Sequence, residues 1–272
     1  MYFDELSEDG VKTLYEYDKV IISKETDVQK VDILNSPIYG KMLFLDGEGQ
    51  SSSLDEGMYH EMLVHPLLSS LPKAKSVLII GGGEGATLRE VVKYKNLESI
   101  VMVDYDAELI EIFKEHCPEY SGGAYNDSRV KLYTMSIWDF FTIYPIKFDA
   151  VICDLNDGFE DIERLFKEIS NVAPVMTVQM GSCVPSRKEI MKNQLEVLNN
   201  NFNYKFFPYK VFIPFFQSEW CFFTNFIRFG RFDIETNHIT PNFFRANMEM
   251  PRWWESRNSA KASPHNSPLP PL

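Results

Sequence analysis

The apolar positions of this chain fall in short blocks whose spacing switches between that of a strand and that of a helix. Within residues 1–60 the blocks VIISKE, VQKVDILN and KMLFLDG are separated by the turn-like NSPIYG and DGEGQ, and predict short strands. From Tyr59 to Leu71 the segment YHEMLVHPLLSSL has helical spacing up to its break at Pro72. A strand-then-helix rhythm follows. SVLII (76–80) precedes a helix over Ala86–Tyr94, SIVMV (99–103) one over Ala107–His116, and RVKLYT (129–134) a short one near Trp138–Phe141. FDAVICD (148–154) precedes a helix over Ile162–Ser170, and PVMTVQ (174–179) one over Arg187–Asn200. Continuous apolar strands alternating with helices indicate βαβ units and a parallel sheet covered on both faces. Two aromatic strands, about 205–213 and 220–228, close the pattern as an antiparallel hairpin.

Composition changes this picture in a few places. The aromatic stretch NYKFFPYKVFIPFFQSEWCFFTNFIRFGRF is interrupted by Pro208, Lys210, Pro214, Gln217, Glu219 and Asn225. A membrane span needs roughly 20 nearly uninterrupted apolar residues, so these are expected to be buried strands. The final segment KASPHNSPLPPL is rich in Pro and Ser and predicts a disordered tail. A net charge of −12 without a basic stripe disfavours nucleic acid and anionic membranes, and suits a small cationic substrate. The acidic MYFDELSEDG has no basic or apolar region of the kind a signal peptide needs, which predicts a cytoplasmic protein. The four cysteines, Cys117, Cys153, Cys183 and Cys221, form no C-x-x-C pair and read as reduced thiols. His60, Glu61 and His65 make H-E-x-x-x-H, which sets the imidazoles about 140° apart around a helix rather than on one face. No metal is expected.

The loop GGGEGATLRE (81–90) carries the chemistry. Gly81, Gly83 and Ala86 satisfy G-x-G-x-x-G/A between a strand and a helix, which brings a nucleotide-like ligand close to the backbone. Asp104, ending the next strand, stands where a carboxylate would grip ribose hydroxyls; the alternative is a helix cap. Glu84 separates the candidate ligands. A pyrophosphate at the helix N-terminus would be repelled by this carboxylate, whereas a sulfonium or ammonium would be attracted. The loop therefore suits an S-adenosyl compound better than NAD, unless Glu84 points into solvent.

The segments YHEMLVHP, VLIIGGGEGATLREVVKY and VMVDYDAELIEIFKEHCPE, preceded by YGKMLFLDGEGQSSSLDEGMYHEML and followed by HITPNFFRANMEMPRWW, resemble the polyamine aminopropyltransferases. These are the spermidine, spermine and thermospermine synthases, and the resemblance spans about residues 28–255. It implies an α/β fold: a Rossmann-like, class I methyltransferase-type sheet with helices on both faces, preceded by a small N-terminal β-strand domain. The implied division is a β domain over 1–60, a catalytic domain binding the S-adenosyl compound over 61–258, and a tail over 259–272. The implied reaction moves an aminopropyl group from decarboxylated S-adenosylmethionine to an amine and releases methylthioadenosine, in a homo-oligomer (dimer or tetramer).

The resemblance also assigns residues. Glu84 corresponds to the acid for the donor's ammonium and Asp104 to the acid for its ribose, with Gly81, Gly82, Gly83, Tyr105, Ser136 and Ile137 around the nucleoside. Gln29 and Gln50 match donor-binding glutamines, His60 an amine-side contact, and Tyr59 an aromatic beside the reacting centre. Asp154 matches the general base, and Asp157 would hold the rest of the cationic acceptor; helix capping is the alternative for both. Phe216 and Trp220 match the loop that walls the amine site.

Three departures from the family pattern open other readings. Ser136 stands where an acid usually reads the adenine amine, the loop after Asp157 is about ten residues shorter, and Phe216 replaces an expected tyrosine. The alternatives are a methyl- or aminocarboxypropyltransferase using intact S-adenosylmethionine on another acceptor, or a catalytically inactive member of the family. An NAD-dependent oxidoreductase is disfavoured by Glu84.

Overall fold

The protein was described from a computed structural model covering residues 1–6, 10–155, 161–228, 232 and 234–254. Its N-terminal part contains a hairpin, β1 (Tyr2–Leu6) with β2 (Lys12–Glu16), and a four-stranded antiparallel sheet. That sheet runs in chain order through β3 (Lys19–Glu25), β4 (Lys30–Ser36), β5 (Gly40–Leu45) and β6 (Glu48–Ser52). The expected turn DGEGQ is shorter than its composition suggests. Asp46 and Gly47, both at positive φ, make the turn, and Glu48 already pairs with Leu45. Gln50 thus stands on a strand.

The second part is a seven-stranded sheet ordered β12-β13-β11-β10-β7-β8-β9. Here β7 is Ser76–Gly81, β8 Ser99–Asp104, β9 Val130–Thr134, β10 Ala150–Asp154, β11 Met176–Ser182, β12 Phe207–Ile213 and β13 Ser218–Thr224. β7 to β11 are parallel, and β12 and β13 add the expected antiparallel hairpin at one edge. The central strands read as unbroken apolar runs because both faces are covered: Val77, Leu78, Ile79 and Ile80 are all buried.

The helices are α1 (Glu56–Leu68), α2 (Ala86–Val92), α3 (Ala107–His116), α4 (Pro118–Ser121), α5 (Ile137–Ile143), α6 (Ile162–Val172), α7 (Lys188–Asn201) and α8 (Pro241–Ala246). α1 starts and ends three residues earlier than its apolar spacing suggests. At its end the hydroxyls of Ser69 and Ser70 donate to the carbonyls of His65 and Pro66, closing the helix before Pro72 is reached. The segment before α8 folds back on α1, where Glu61 accepts from the backbone N–H groups of Asn237, His238 and Ile239 at 2.7–2.9 Å.

The two parts share one core. On one face of the N-terminal sheet, Val31, Ile33 and Leu43 pack against Leu109, Ile112, Phe113 and Tyr120 of α3 and α4. On the other, Tyr15 and Phe44 meet Phe215, with ring centroids 5.0 and 5.8 Å apart. This docking sets β1, β2 and β6 over the carboxyl ends of β7 and β10. The expected tail over 259–272 lies outside the described residues.

Candidate functional site

The carboxyl ends of the central strands open into a cleft of about 420 Å³, the place where open α/β sheets bind ligands. Gly81, at φ +80°, leaves β7 so close to β10 that a side chain would run into the Asp154 carbonyl. Gly85, at φ +86°, turns the chain into α2. Between them Glu84 faces the cleft and is 9% exposed, which rules out the solvent-facing alternative. Asp104 is not a helix cap either. Asp106 caps α3, accepting from the Leu109 N–H at 2.9 Å, and leaves Asp104 to line the cleft.

A chain of charges links the acids. His60 Nε2 is 2.8 Å from Glu84 Oε1 and 3.9 Å from Asp154 Oδ2. Its Nδ1 is 3.0 Å from Glu56 Oε2, and Arg89 donates to both Glu56 oxygens at 3.0 and 2.9 Å. Burial alone would lower the His60 pKa, but Glu84 and Glu56 outweigh it and hold the ring well above its usual value, as an imidazolium. Against the cost of burial, His60 and Arg89 hold the Glu56 carboxyl down at about 2. Burial pushes Glu84 upward, and the imidazolium opposes that rise. Asp104 is pushed up to about 6 by burial.

Asp154 sits at the end of β10, accepting from Tyr59 Oη at 2.9 Å and from Thr87 Oγ1 at 2.5 Å. It caps no helix. Tyr59, Asp154 and Glu84 therefore meet in the cleft with Gly81, Gly82 and Gly83. Asp157 lies outside the described residues, as does most of the shortened loop.

Next to the cleft, and sharing Gly81, Asp104, Tyr105 and Leu155 with it, is a slot of about 180 Å³ between Ile80, Val103, Met135, Ser136, Ile137 and Trp138. Ser136 caps α5, accepting from Trp138 N–H at 3.1 Å. Gln29 and Gln50 line the main cleft, and Gln29 Nε2 donates to Asp106 Oδ2 at 2.8 Å.

Residues 56–229 match the family model described as the spermine/spermidine synthase domain, and residues 1–52 match the spermidine synthase tetramerisation domain. This chain belongs to the spermine/spermidine synthase family. The polyamine aminopropyltransferase of Aeropyrum pernix is 34% identical over 223 residues, 77% of this chain and 70% of that one. Those of Saccharolobus islandicus and Saccharolobus solfataricus are 46% and 47% identical over 156 residues, 55% of this chain. The chain spans about half the length of these two relatives, 52% in each. In fold it is similar to spermidine synthase from Thermotoga maritima, with a TM-score of 0.84, 24% identity and coverage of 92% of this chain and 91% of that chain. A spermidine synthase crystallised with the transition state analogue AdoDATO matches equally well in fold.

Within this family frame the structure adds side chains that sequence reading missed. Glu5 and Thr13 on the β1–β2 hairpin line the cleft, with Glu5 accepting from Gly49 N–H at 2.7 Å and Tyr15 Oη at 2.8 Å. Gln179, ending the apolar run of β11, accepts from Trp220 Nε1 at 3.1 Å and lines the same wall. Arg187 lines it too. Phe216 stacks on Trp220 with centroids 4.2 Å apart and faces Tyr59 edge-on at 6.3 Å.

His60 and His65 point to different sides of α1, as their spacing requires. Glu61, His65 and Glu90 bring one ligand atom each within 4.8 Å of one another, all buried. Their atoms are already engaged: Glu61 with three backbone N–H groups, His65 with Glu90 at 2.9 Å and Tyr94 at 3.0 Å. Among the described residues no helix is long and apolar enough to cross a membrane.

Proposed function

We propose that this protein moves the aminopropyl group of decarboxylated S-adenosylmethionine to a cationic amine, putrescine or spermidine, releasing methylthioadenosine. The observation that carries this reading is the buried Glu84 carboxylate facing the cleft beside Asp154. Seven acids, Glu84, Asp104 and Asp154 among them, line the cleft against His60 and Arg187, so it favours positive ligands over a pyrophosphate. Family membership and the relatives' activity support the same reading.

In this reading Asp104 accepts from the ribose hydroxyls and the apolar slot beside it takes the base. Glu84 receives the donor's ammonium, which orients the aminopropyl carbon. The acceptor arrives as an ammonium, since amines of this kind have pKa values near 10. Asp154, aligned by Tyr59 and Thr87, accepts its proton, and the freed lone pair attacks the carbon bonded to sulfur. The carbon–sulfur bond breaks, and the sulfonium leaves as a neutral thioether. Asp157 would hold the far part of the acceptor, and the match of residues 1–52 to a tetramerisation domain supports a homo-oligomer.

One observation favours a second reading, an intact S-adenosylmethionine donor: Arg187 could meet a carboxylate. It follows β11, two strands and about 10 Å from β7, so the ammonium acid and this cation serve different ends of the cleft. Incubation with each donor, together with putrescine or spermidine, tests both. Methylthioadenosine release with the decarboxylated donor alone is expected; turnover with the intact donor would select the second reading.

A further inference from the structure

Two of the four cysteines are neighbours across the seam between β11 and β13. Ser182 pairs with Trp220, and the Cys183 N–H donates to the Glu219 carbonyl at 2.6 Å, so Cys183 stands opposite Glu219. Side chains alternate along a strand, so Glu219, Cys221 and Cys183 face the same side, with the cysteines diagonal to each other. Both belong to one buried apolar cluster with Met180 and Phe223. Cys221 pairs on its other side with Lys210, whose ammonium bonds to Glu219.

We propose that Cys183 and Cys221 are an oxidation site, a dithiol that a hydroperoxide converts to a disulfide. The environments of the two thiols differ in the way this chemistry needs. The neighbouring Cys221 thiol and the Lys210 ammonium lower the Cys183 pKa, against its burial and the Glu219 charge. Burial pushes Cys221 well up, so it keeps its proton. The other two cysteines contrast with this pair: burial pushes both Cys117 and Cys153 up to about 12. In the reaction the Cys183 thiolate attacks one peroxide oxygen; the S–O bond forms and the O–O bond breaks to give a sulfenic acid, and the leaving hydroxide or alkoxide takes up the proton that Cys183 released on ionising, as water or an alcohol. Cys221 then attacks that sulfur; the S–S bond forms, the S–O bond breaks, and the oxygen leaves as water with the Cys221 proton. Two thiols lose two electrons, and the peroxide gains them.

The cross-link bears on the cleft because the same seam builds its wall. Ser182 and Val184 flank Cys183, Trp220 precedes Cys221, and all three flanking residues line the cleft. Diagonal Cβ atoms lie farther apart than the roughly 3.5–4.5 Å of a disulfide, so closing it draws the strands together. The register shift between Gln179 and Ser182 is where the seam can yield. Trp220, held by Gln179, would move with it.

The test treats the native full chain with hydrogen peroxide, blocks remaining thiols, and maps the peptides by mass spectrometry without reduction. A Cys183–Cys221 cross-link is expected, reversed by dithiothreitol, with Cys117 and Cys153 still free. Cys183→Ser should abolish it, and Cys221→Ser should leave Cys183 as a sulfenic acid trapped by dimedone. Absence of the cross-link in protein that retains its native circular dichroism, or oxidation of Cys117 and Cys153 at the same dose, would overturn the proposal. Peptide mapping requires no turnover, so failure of the proposed transferase activity would leave this test intact.

Discussion

The imidazole of His60 and the carboxylate of Glu84 lie 2.8 Å apart, buried together at the mouth of the glycine loop. The acid assigned to the donor's ammonium is thus already ion-paired in the unliganded protein. A donor ammonium must share Glu84 with the ring, and Glu84 holds its charge because His60 holds a proton. Glu84→Gln should therefore weaken decarboxylated S-adenosylmethionine by roughly ten- to a hundredfold, about 1.5–3 kcal/mol, the worth of a hydrogen bond to a charged group. Methylthioadenosine, which lacks the ammonium, should bind nearly as before. Calorimetry with both ligands checks this, and equal losses for the two would remove Glu84 from that role.

Stability should follow the proton on His60. Its folded pKa lies above the unfolded value of about 6.5 because carboxylates face both ring nitrogens. Its contribution is fully present below about pH 6.5 and is lost as pH rises through the folded value. Urea unfolding of wild type and His60→Asn should differ most on the acid side of that window, by about 3–5 kcal/mol for breaking a buried pair. The gap should narrow in alkaline buffer. A gap independent of pH would mean that the ring is neutral.

Asp104 runs the other way. Burial raises its folded pKa to about 6, so the native state keeps a proton that the unfolded chain releases from about pH 3.8 upward. Stability is lost across that window, up to about 3 kcal/mol by neutral pH. Asp104→Asn should recover much of it in thermal unfolding at pH 7 while abolishing nucleoside binding. In the wild type, methylthioadenosine affinity should rise about tenfold per pH unit up to about 6 and then level off. A flat profile would show that the ribose does not require the ionised acid.

For the proton acceptor, Asp154→Asn should lower turnover by about 10²–10⁴-fold with donor binding kept, the usual span for a general base. Tyr59→Phe removes one hydrogen bond to Asp154 and should cost about tenfold in kcat with little change in donor affinity. Single-turnover assays and donor titrations separate the two effects. Loss of donor binding in Asp154→Asn would place this acid on the donor instead.

Legibility followed sequence distance. Gly81, Glu84 and Asp104 were readable because strand, loop and helix follow one another within about 25 residues, and the loop's own chemistry separates the ligands. The Glu56–Arg89 pair was not readable, because nothing local in DEGMYHE says which cation closes on Glu56 33 residues later. Asp104 was ambiguous between ribose acid and helix cap until the structure put the cap of α3 on Asp106. β1 and β2 stayed hidden for another reason. Tyr2, Leu6 and Leu14 are exposed while Glu5 turns inward, so alternation gives no polar face to read. Phe215, 200 residues away from Tyr15, explains where that hairpin meets the cleft wall.

That docking makes the last prediction. Phe215 is fully buried between Tyr15, Tyr39 and Phe44, and its N–H donates to Asp55 Oδ2 at 2.7 Å just before α1. It joins the N-terminal strands to the cleft wall, because Phe216 and Trp220 follow it in the chain. Phe215→Ala should cost about 3–5 kcal/mol, the span for removing a buried aromatic ring, and should loosen the hairpin that carries Glu5. Hydrogen exchange of β1 and β2 should accelerate more than that of β7 and β8, whose second face, Leu78, Ile80, Val101 and Val103, packs in a cluster without Phe215. Kinetically, KM for the amine should rise more than KM for the donor, since Glu5 and Thr13 reach the cleft from that hairpin while Asp104 and Glu84 do not depend on it. Uniform exchange across both sheets would show the two parts unfolding as one unit, and equal changes in both KM values would detach the hairpin from acceptor binding.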